Sequence, residues 1–210
     1  MINNSTGLSV IFVQKDIDNR YHKLLTNFLS KGFVENSEWE CTISGFENKK
    51  ERALKDIYTV SSNSWNTKVL ICRKAGFKNA LSSENELDTL MDHLNYNKFL
   101  VHALKGVILI RGDYKVYIST ISKNKIPSRN IFLMIEFSSV REFNVTLDQY
   151  KNLINNFIEL FMTDVSIEEV NYLIENNHKA MQKQRTEFGE SSGIFSEKQL
   201  GLLLLNFFGQ

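Results

Sequence analysis

ALKGVILIRGDYKVYISTIS, residues 103–122, decides the fold. Residues 106–110 are aliphatic, Gly112 and Asp113 suit a tight turn, and Tyr114, Val116, Tyr117 and Ile118 resume an extended pattern. Two strands joined by so short a turn pair antiparallel. The tripeptide Arg111-Gly112-Asp113 matches an integrin-binding signature, but a hairpin needs these turn residues anyway, and the turn reading is taken. A third strand follows at residues 130–138 with IFLMIEF at its heart. Ile131, Leu133, Ile135 and Phe137 fall on one face of it, Phe132 and Met134 on the other. A strand with no polar face lies inside a barrel or beneath helices. Between the last two strands, residues 122–128 carry the single proline, Pro127, and read as a polar loop.

Upstream, LSVIFVQ at residues 8–14 reads as a strand. Asp16 is placed to cap a helix whose apolar residues are Ile17, Tyr21, Leu24, Leu25, Phe28 and Leu29, stopped by Gly32. Residues 38–46 alternate, with Trp39, Cys41 and Ile43 inward and Glu38, Glu40 and Thr42 outward. Strands are expected at 55–62 and 67–73, with the turn at Asn63, Ser64, Trp65 and Asn66. Ser83 and Glu86 form a capping box ahead of a helix striped by Leu87, Leu90, Met91 and Leu94.

Downstream the chain turns helical. Thr146 opens a helix bearing Leu147, Tyr150, Ile154, Phe157 and Phe161. Ser166 with Glu169 caps another, striped by Ile167, Val170, Leu173, Ile174 and Met181. Residues 182–195 read as a polar loop or hinge, and Ser196 with Gln199 opens a final helix over 196–208. Short connections between strands make the sheet mainly antiparallel. The expectation is a single α+β domain over residues 1–210, a curled sheet with flanking helices and a helical last third.

The chain is 42% apolar and 23% charged, ordinary globular proportions, so it can bury a proper core. Its 25 basic and 24 acidic residues leave a formal net charge of +1, which gives no support to a phosphate-binding face. Cys41 and Cys72 both fall in strands and lack zinc-site spacing; with no leader visible at the N-terminus, both are expected to be free thiols in a reducing compartment. The tail LLLLNFFG, residues 202–209, is the anomaly. It is too short for a bilayer, which takes roughly 20 apolar residues, and lacks the basic face of an interfacial helix. Burying its six large apolar side chains is worth about 10 to 18 kcal/mol gross, so something must cover them. Either the helix packs on its own domain, or Leu202, Leu203, Leu205, Phe207 and Phe208 bind a partner.

Chemistry-bearing patterns are sparse. His22, His93, His102 and His178 show no ligand spacing, and no glycine-rich phosphate loop occurs. A tunnel-shaped triphosphatase would need converging carboxylates and cations inside its barrel. Glu38 and Glu40 share one strand face, but the other strands add only Arg73, Arg111, Lys115 and Glu136 amid aliphatic residues. The two glutamates are therefore read as a solvent-facing strand edge, and no catalytic, cofactor or metal residue is assigned.

SENELDTLMDHL (83–94), LKGVILIRGDYKVYIST (104–120) and RNIFLMIEF (129–137), in that order, resemble the subunit 20 family of the Mediator complex of RNA polymerase II. Leu90 with Met91, residues 113–118 and Glu136 hold the matching places. The resemblance implies a partly open antiparallel β-barrel flanked by helices, distantly related to the tunnel triphosphatases but without their ligands. It implies a nuclear, non-enzymatic coactivator subunit of the Mediator head module, with no cofactor. Such a subunit pairs with Mediator subunit 18, is tethered by Mediator subunit 8, and helps bridge regulators to the RNA polymerase II machinery, without reading nucleic acid or binding membrane. The alternative is a divergent tunnel-type triphosphatase.

Overall fold

In a computed structural model, residues 6–16, 19–50, 57–65, 68–74, 77–83, 87–139, 147–162 and 197–208 are described. They form β1 (Thr6–Lys15), α1 (Arg20–Ser30), β2 (Val34–Asn48), β3 (Ile57–Ser62), β4 (Lys68–Lys74), β5 (Phe77–Ser83), α2 (Leu87–His93), β6 (Tyr96–Arg111), β7 (Tyr114–Lys123), β8 (Ile126–Ser139), α3 (Leu147–Phe161) and α4 (Glu197–Phe208). The strands build one eight-stranded sheet in the order β1-β8-β7-β6-β2-β3-β4-β5. It does not close: β1 and β5 are its edges. β1 pairs antiparallel with β8, and β2 through β5 form an antiparallel meander. The architecture is the expected α+β one, a mainly antiparallel sheet with flanking helices.

Two compact units share this sheet. Unit 1 comprises Met1–Glu38, Val107–Ser119 and Arg129–Phe195; unit 2 comprises Trp39–Gly106, Thr120–Ser128 and Ser196–Gln210.

In unit 1 the amphipathic helices α1 and α3 cover one sheet face. Phe12, Leu109, Val116, Ile118, Ile131, Leu133 and Ile135 meet Leu24 and Phe28 of α1 and Ile154, Phe157, Ile158 and Phe161 of α3. Phe157 is the hub, with ring centroids 6.0 Å from Phe28, 6.1 Å from Phe33, 4.9 Å from Tyr114 and 5.0 Å from Phe161. Offset and edge-on pairs of this kind add about 0.5–1.5 kcal/mol beyond burial. Ile11, Tyr117, Phe132 and Met134 point to the opposite face and are buried too, so β8 is covered on both sides as its sequence requires. At the ends of the helices, Asn27 Nδ2 donates to the Phe161 carbonyl at 2.7 Å and Lys31 Nζ to the Leu160 carbonyl at 2.9 Å. These side chains satisfy carbonyls that α3 leaves open at its C-terminus.

In unit 2, β2 alternates as expected up to Ile43 and is then buried continuously from Ile43 to Phe46. Trp39 is buried and still donates its indole N–H to Ser62 Oγ at 2.9 Å. Val60, Val69, Ile71, Leu87, Met91, Leu100 and Leu104 complete the apolar core of this unit.

Three local expectations are corrected. β5 was not legible, because residues 77–83 (FKNALSS) carry few strand-forming side chains; the aliphatic ladder of β4 recruits them residue by residue, from Lys74↔Phe77 to Lys68↔Ser83. Ser83 is thus the last residue of a strand, and the residues between it and Leu87 lie outside those described. The polar loop at 122–128 is instead a two-residue turn, with Asn124 at φ 50° and Lys125 at φ 68°, the left-handed pair that matches strand twist in a hairpin. Pro127 is the second residue of β8, near a strand start where a missing donor is tolerated. Finally, α1 begins at Arg20 after a left-handed Asn19. Asp16 stays tied to the sheet through its N–H to the Arg129 carbonyl at 2.7 Å, yet its Oδ1 accepts from the Tyr21 N–H at 3.1 Å. Gly32, at φ 86°, ends the helix as expected. The helix expected from Ser166, the hinge at 182–195 and the cap at Ser196 lie outside the described residues.

Phe157→Ala should cost about 3–5 kcal/mol of stability, because four neighbouring rings cannot close over the cavity. Urea unfolding followed by circular dichroism measures it.

Candidate functional site

The apolar tail forms α4, which rests on β3, β4 and β5 of unit 2. The approach is close because residue 201 is glycine: a Cβ there would lie 3.3 Å from Val69 Cβ and Cγ1 and 3.6 Å from Val60 Cβ. Leu202, Leu204, Leu205 and Phe208 are all buried against this unit. Of the five residues proposed from sequence for a partner, Leu202, Leu205 and Phe208 therefore contact the chain's own core. The side chains of Leu203 and Phe207 lie outside those described. A partner can meet the buried three only when α4 leaves the sheet.

At the end of α4 sits a residue that no sequence motif singles out. His102, on β6, is 8% exposed, and its ring lies 5.3 Å from the Phe208 ring at an interplanar angle of 43°. Burial holds its pKa below the ordinary value, Lys123 adds to that, and a hydrogen bond to the Phe208 backbone opposes it. No sequence signal could have found this, since the His102 ring meets Phe208, a residue far away in sequence.

Within each unit, described charged candidates have local partners. Glu40 pairs with Lys105 at 2.8 Å on the surface of unit 2, a contact worth at most about 1 kcal/mol, and its N–H is fixed by Asn63 Oδ1 at 2.9 Å. Glu38 is exposed. In unit 1, Glu136 accepts from the Tyr117 hydroxyl at 2.8 Å. Arg111 lies over Phe161 at 5.0 Å and Phe33 at 6.0 Å, where it caps the aromatic cluster. Lys115 is half-buried, and the side chain of Arg73 lies outside those described. Among the described residues no group of three or more His, Cys, Asp or Glu side chains is arranged to hold a metal ion, and no helix is long and apolar enough to cross a membrane.

Burial raises the Tyr117 phenol far above its ordinary value, reinforced by the Glu136 charge and the hydrogen bond it donates to that carboxylate. Cys41 is a buried thiol pushed up by burial alone, and the half-buried Cys72 is raised for the same reason.

No protein-family model and no curated protein sequence matches the chain. Among solved structures, a chain of the Schizosaccharomyces pombe Mediator head module aligns with a TM-score of 0.46 at 12% identity, over 76% of this chain and 96% of that one. A protein from Pyrococcus horikoshii aligns with a TM-score of 0.42 at 13% identity, over 73% and 90% of the two chains. An adenylyl-cyclase-like protein from Hippeastrum with a dominant triphosphatase activity aligns with a TM-score of 0.39 at 9% identity, over 78% and 94%. No shared chemistry follows from similarities at this level.

Two substitutions test the site. Gly201→Leu forces bulk into Val60 and Val69, which costs about 1–3 kcal/mol against about 1 kcal/mol gained in helix propensity; urea unfolding should show a net loss. Tyr117 stays protonated when folded but ionises near 10.0 when unfolded, so its contribution is complete below that pH and lost as pH rises above it. Alkaline unfolding should therefore be shallower in Tyr117→Phe than in the wild type.

Proposed function

We propose that the chain is a non-enzymatic interaction subunit of the Mediator head module, a nuclear coactivator component that acts by pairing with Mediator subunit 18. Mediator subunit 8 tethers the pair to the head module, and the assembly bridges regulators to the RNA polymerase II machinery. The sequence resemblance at residues 83–94, 104–120 and 129–137 supplies the family.

The observation that carries the non-enzymatic part is how the charges are used. Among the described candidates for triphosphate or metal chemistry, Glu40 is committed to Lys105, Glu136 to Tyr117 and Arg111 to the rings of Phe33 and Phe161. The strand faces around them are closed by aliphatic and aromatic side chains. Phosphoryl chemistry needs several cations and carboxylates aimed at one point. Here they serve as isolated surface and core contacts, and the sheet is built to be packed. The α4 face of Leu202, Leu203, Leu205, Phe207 and Phe208 is the proposed partner contact, engaged when the helix leaves β3–β5.

Size-exclusion chromatography with light scattering tests the proposal, on the chain alone and mixed with Mediator subunit 18 from the same source. A one-to-one complex is the expected result. A monomer that ignores this partner overturns the proposal. So does thermal stabilisation by Mg²⁺ with inorganic triphosphate, which a tunnel enzyme would show at about 2.7 kcal/mol for ligand at a hundredfold over Kd.

A further inference from the structure

We propose that the start of β2, residues 34–37, is an open stretch of sheet edge that takes an extended, cationic segment of a partner protein as an added strand. In the sheet, β2 lies between β6 and β3. Its ladder to β3 runs from Phe46↔Ile57 to Cys41↔Ser62. Asn63 then closes it off at Glu40: the Glu40 carbonyl accepts from the Asn63 N–H at 3.0 Å, and the Glu40 N–H donates to Asn63 Oδ1 at 2.9 Å. Among the described residues, no strand continues β3 alongside the part of β2 before Glu40. That part is also uncovered on its faces, since residues 34–38 are all exposed and Val34 is 68% exposed.

The backbone of a strand aims its N–H and C=O groups at alternate sides, residue by residue. Glu40 aims both of its groups at the β3 side. Trp39, Cys41 and Ile43 are buried in alternation, so the pleat is regular there. Counting back from Glu40 by every second residue, Asn36 and Val34 aim theirs at the open side, and Glu35 and Ser37 aim theirs at β6. Donors and acceptors presented in this way template a further strand.

The side chains select the occupant. Glu35 and Ser37 share one face of the strand, Val34 and Asn36 the other. Glu35 is exposed. The cation just before the strand, Lys31, is turned to the Leu160 carbonyl, and Arg111 lies over Phe33 and Phe161. Opposite charges across a ladder stabilise it and like charges destabilise it. The fitting segment therefore carries Lys or Arg across from Glu35 and a β-branched residue across from Val34. A second copy fits worse: it brings Glu35 and Glu38 of both chains onto one short ladder, and so few residues fall far below the roughly 20–30 a side of a stable interface. The edge belongs to unit 1 and does not depend on α4, which belongs to unit 2.

Hydrogen exchange read by NMR on the full chain tests this, with and without an excess of a capped peptide of alternating valine and lysine, about seven residues long. Without peptide, the Val34 and Asn36 amides should exchange about tenfold or more faster than those of Glu35 and Ser37, and with peptide they should slow by about tenfold. The same peptide with proline at its centre should leave them unchanged, because it cannot complete the ladder. Glu35→Lys should weaken the lysine peptide several-fold and favour its glutamate counterpart. Asn36→Pro removes a donor from the open side alone, so the chain should fold and the peptide should no longer slow exchange at Val34. Should that variant not fold, the wild type and Glu35→Lys decide. Equal exchange at all four amides, no slowing by the peptide, equal slowing by the proline peptide, or undiminished binding to Glu35→Lys overturns the proposal. Protection that grows with protein concentration when no peptide is present assigns the edge to a second copy and overturns it too. Because the probe is a peptide, failure here leaves the pairing with Mediator subunit 18 standing, and failure of that pairing leaves the open edge standing.

Discussion

From Ile131 to Ile135 strand β8 has no wet side, and much of unit 1 follows from that. Ile131, Leu133 and Ile135 project to one face and Phe132 and Met134 to the other, all of them buried. A strand of this kind cannot be the solvated layer of a sandwich; both faces have to be covered. On one face the covering is α1 with α3, whose aromatic residues interlock around Phe157. The pairing with β1 carries the constraint outward, because Phe12 opposite Leu133 and Ile11 opposite Met134 share its two apolar faces.

The same constraint shapes what the surface can do. Charged side chains near these strands have been drawn into local duties. Arg111 spreads over Phe33 and Phe161, and Lys31 closes a helix end through the Leu160 carbonyl. Glu136 is anchored by a phenol that burial keeps neutral. Groups used in this way position apolar surface.

In unit 2 the helix α4 is both core and candidate contact. Its approach depends on a residue without a side chain, Gly201 over Val69 and Val60, at a cost of about 1 kcal/mol in helix propensity. Close packing recovers that cost through Leu202, Leu204 and Leu205. The end of the helix rests on His102, whose ring lies 5.3 Å from that of Phe208.

The sequence alone determined the elements whose side-chain period is self-sufficient. The hairpin at Gly112, the two-faced strand around Phe132, the stripe of α3 and the stop at Gly32 were legible because each is written within a few residues. It also showed that residues 202–208 had to be covered. Only tertiary structure decided the rest. Residues 77–83 are a strand because β4 offers a ladder, and Asn124 with Lys125 turn tightly because flanking strands demand the twist, with Asn124 Oδ1 accepting from the Val101 N–H at 2.8 Å. The His102 ring meets that of Phe208, a residue far away in sequence. Periodicity records which faces are apolar; it does not record what covers them, because burial is settled by distant segments meeting.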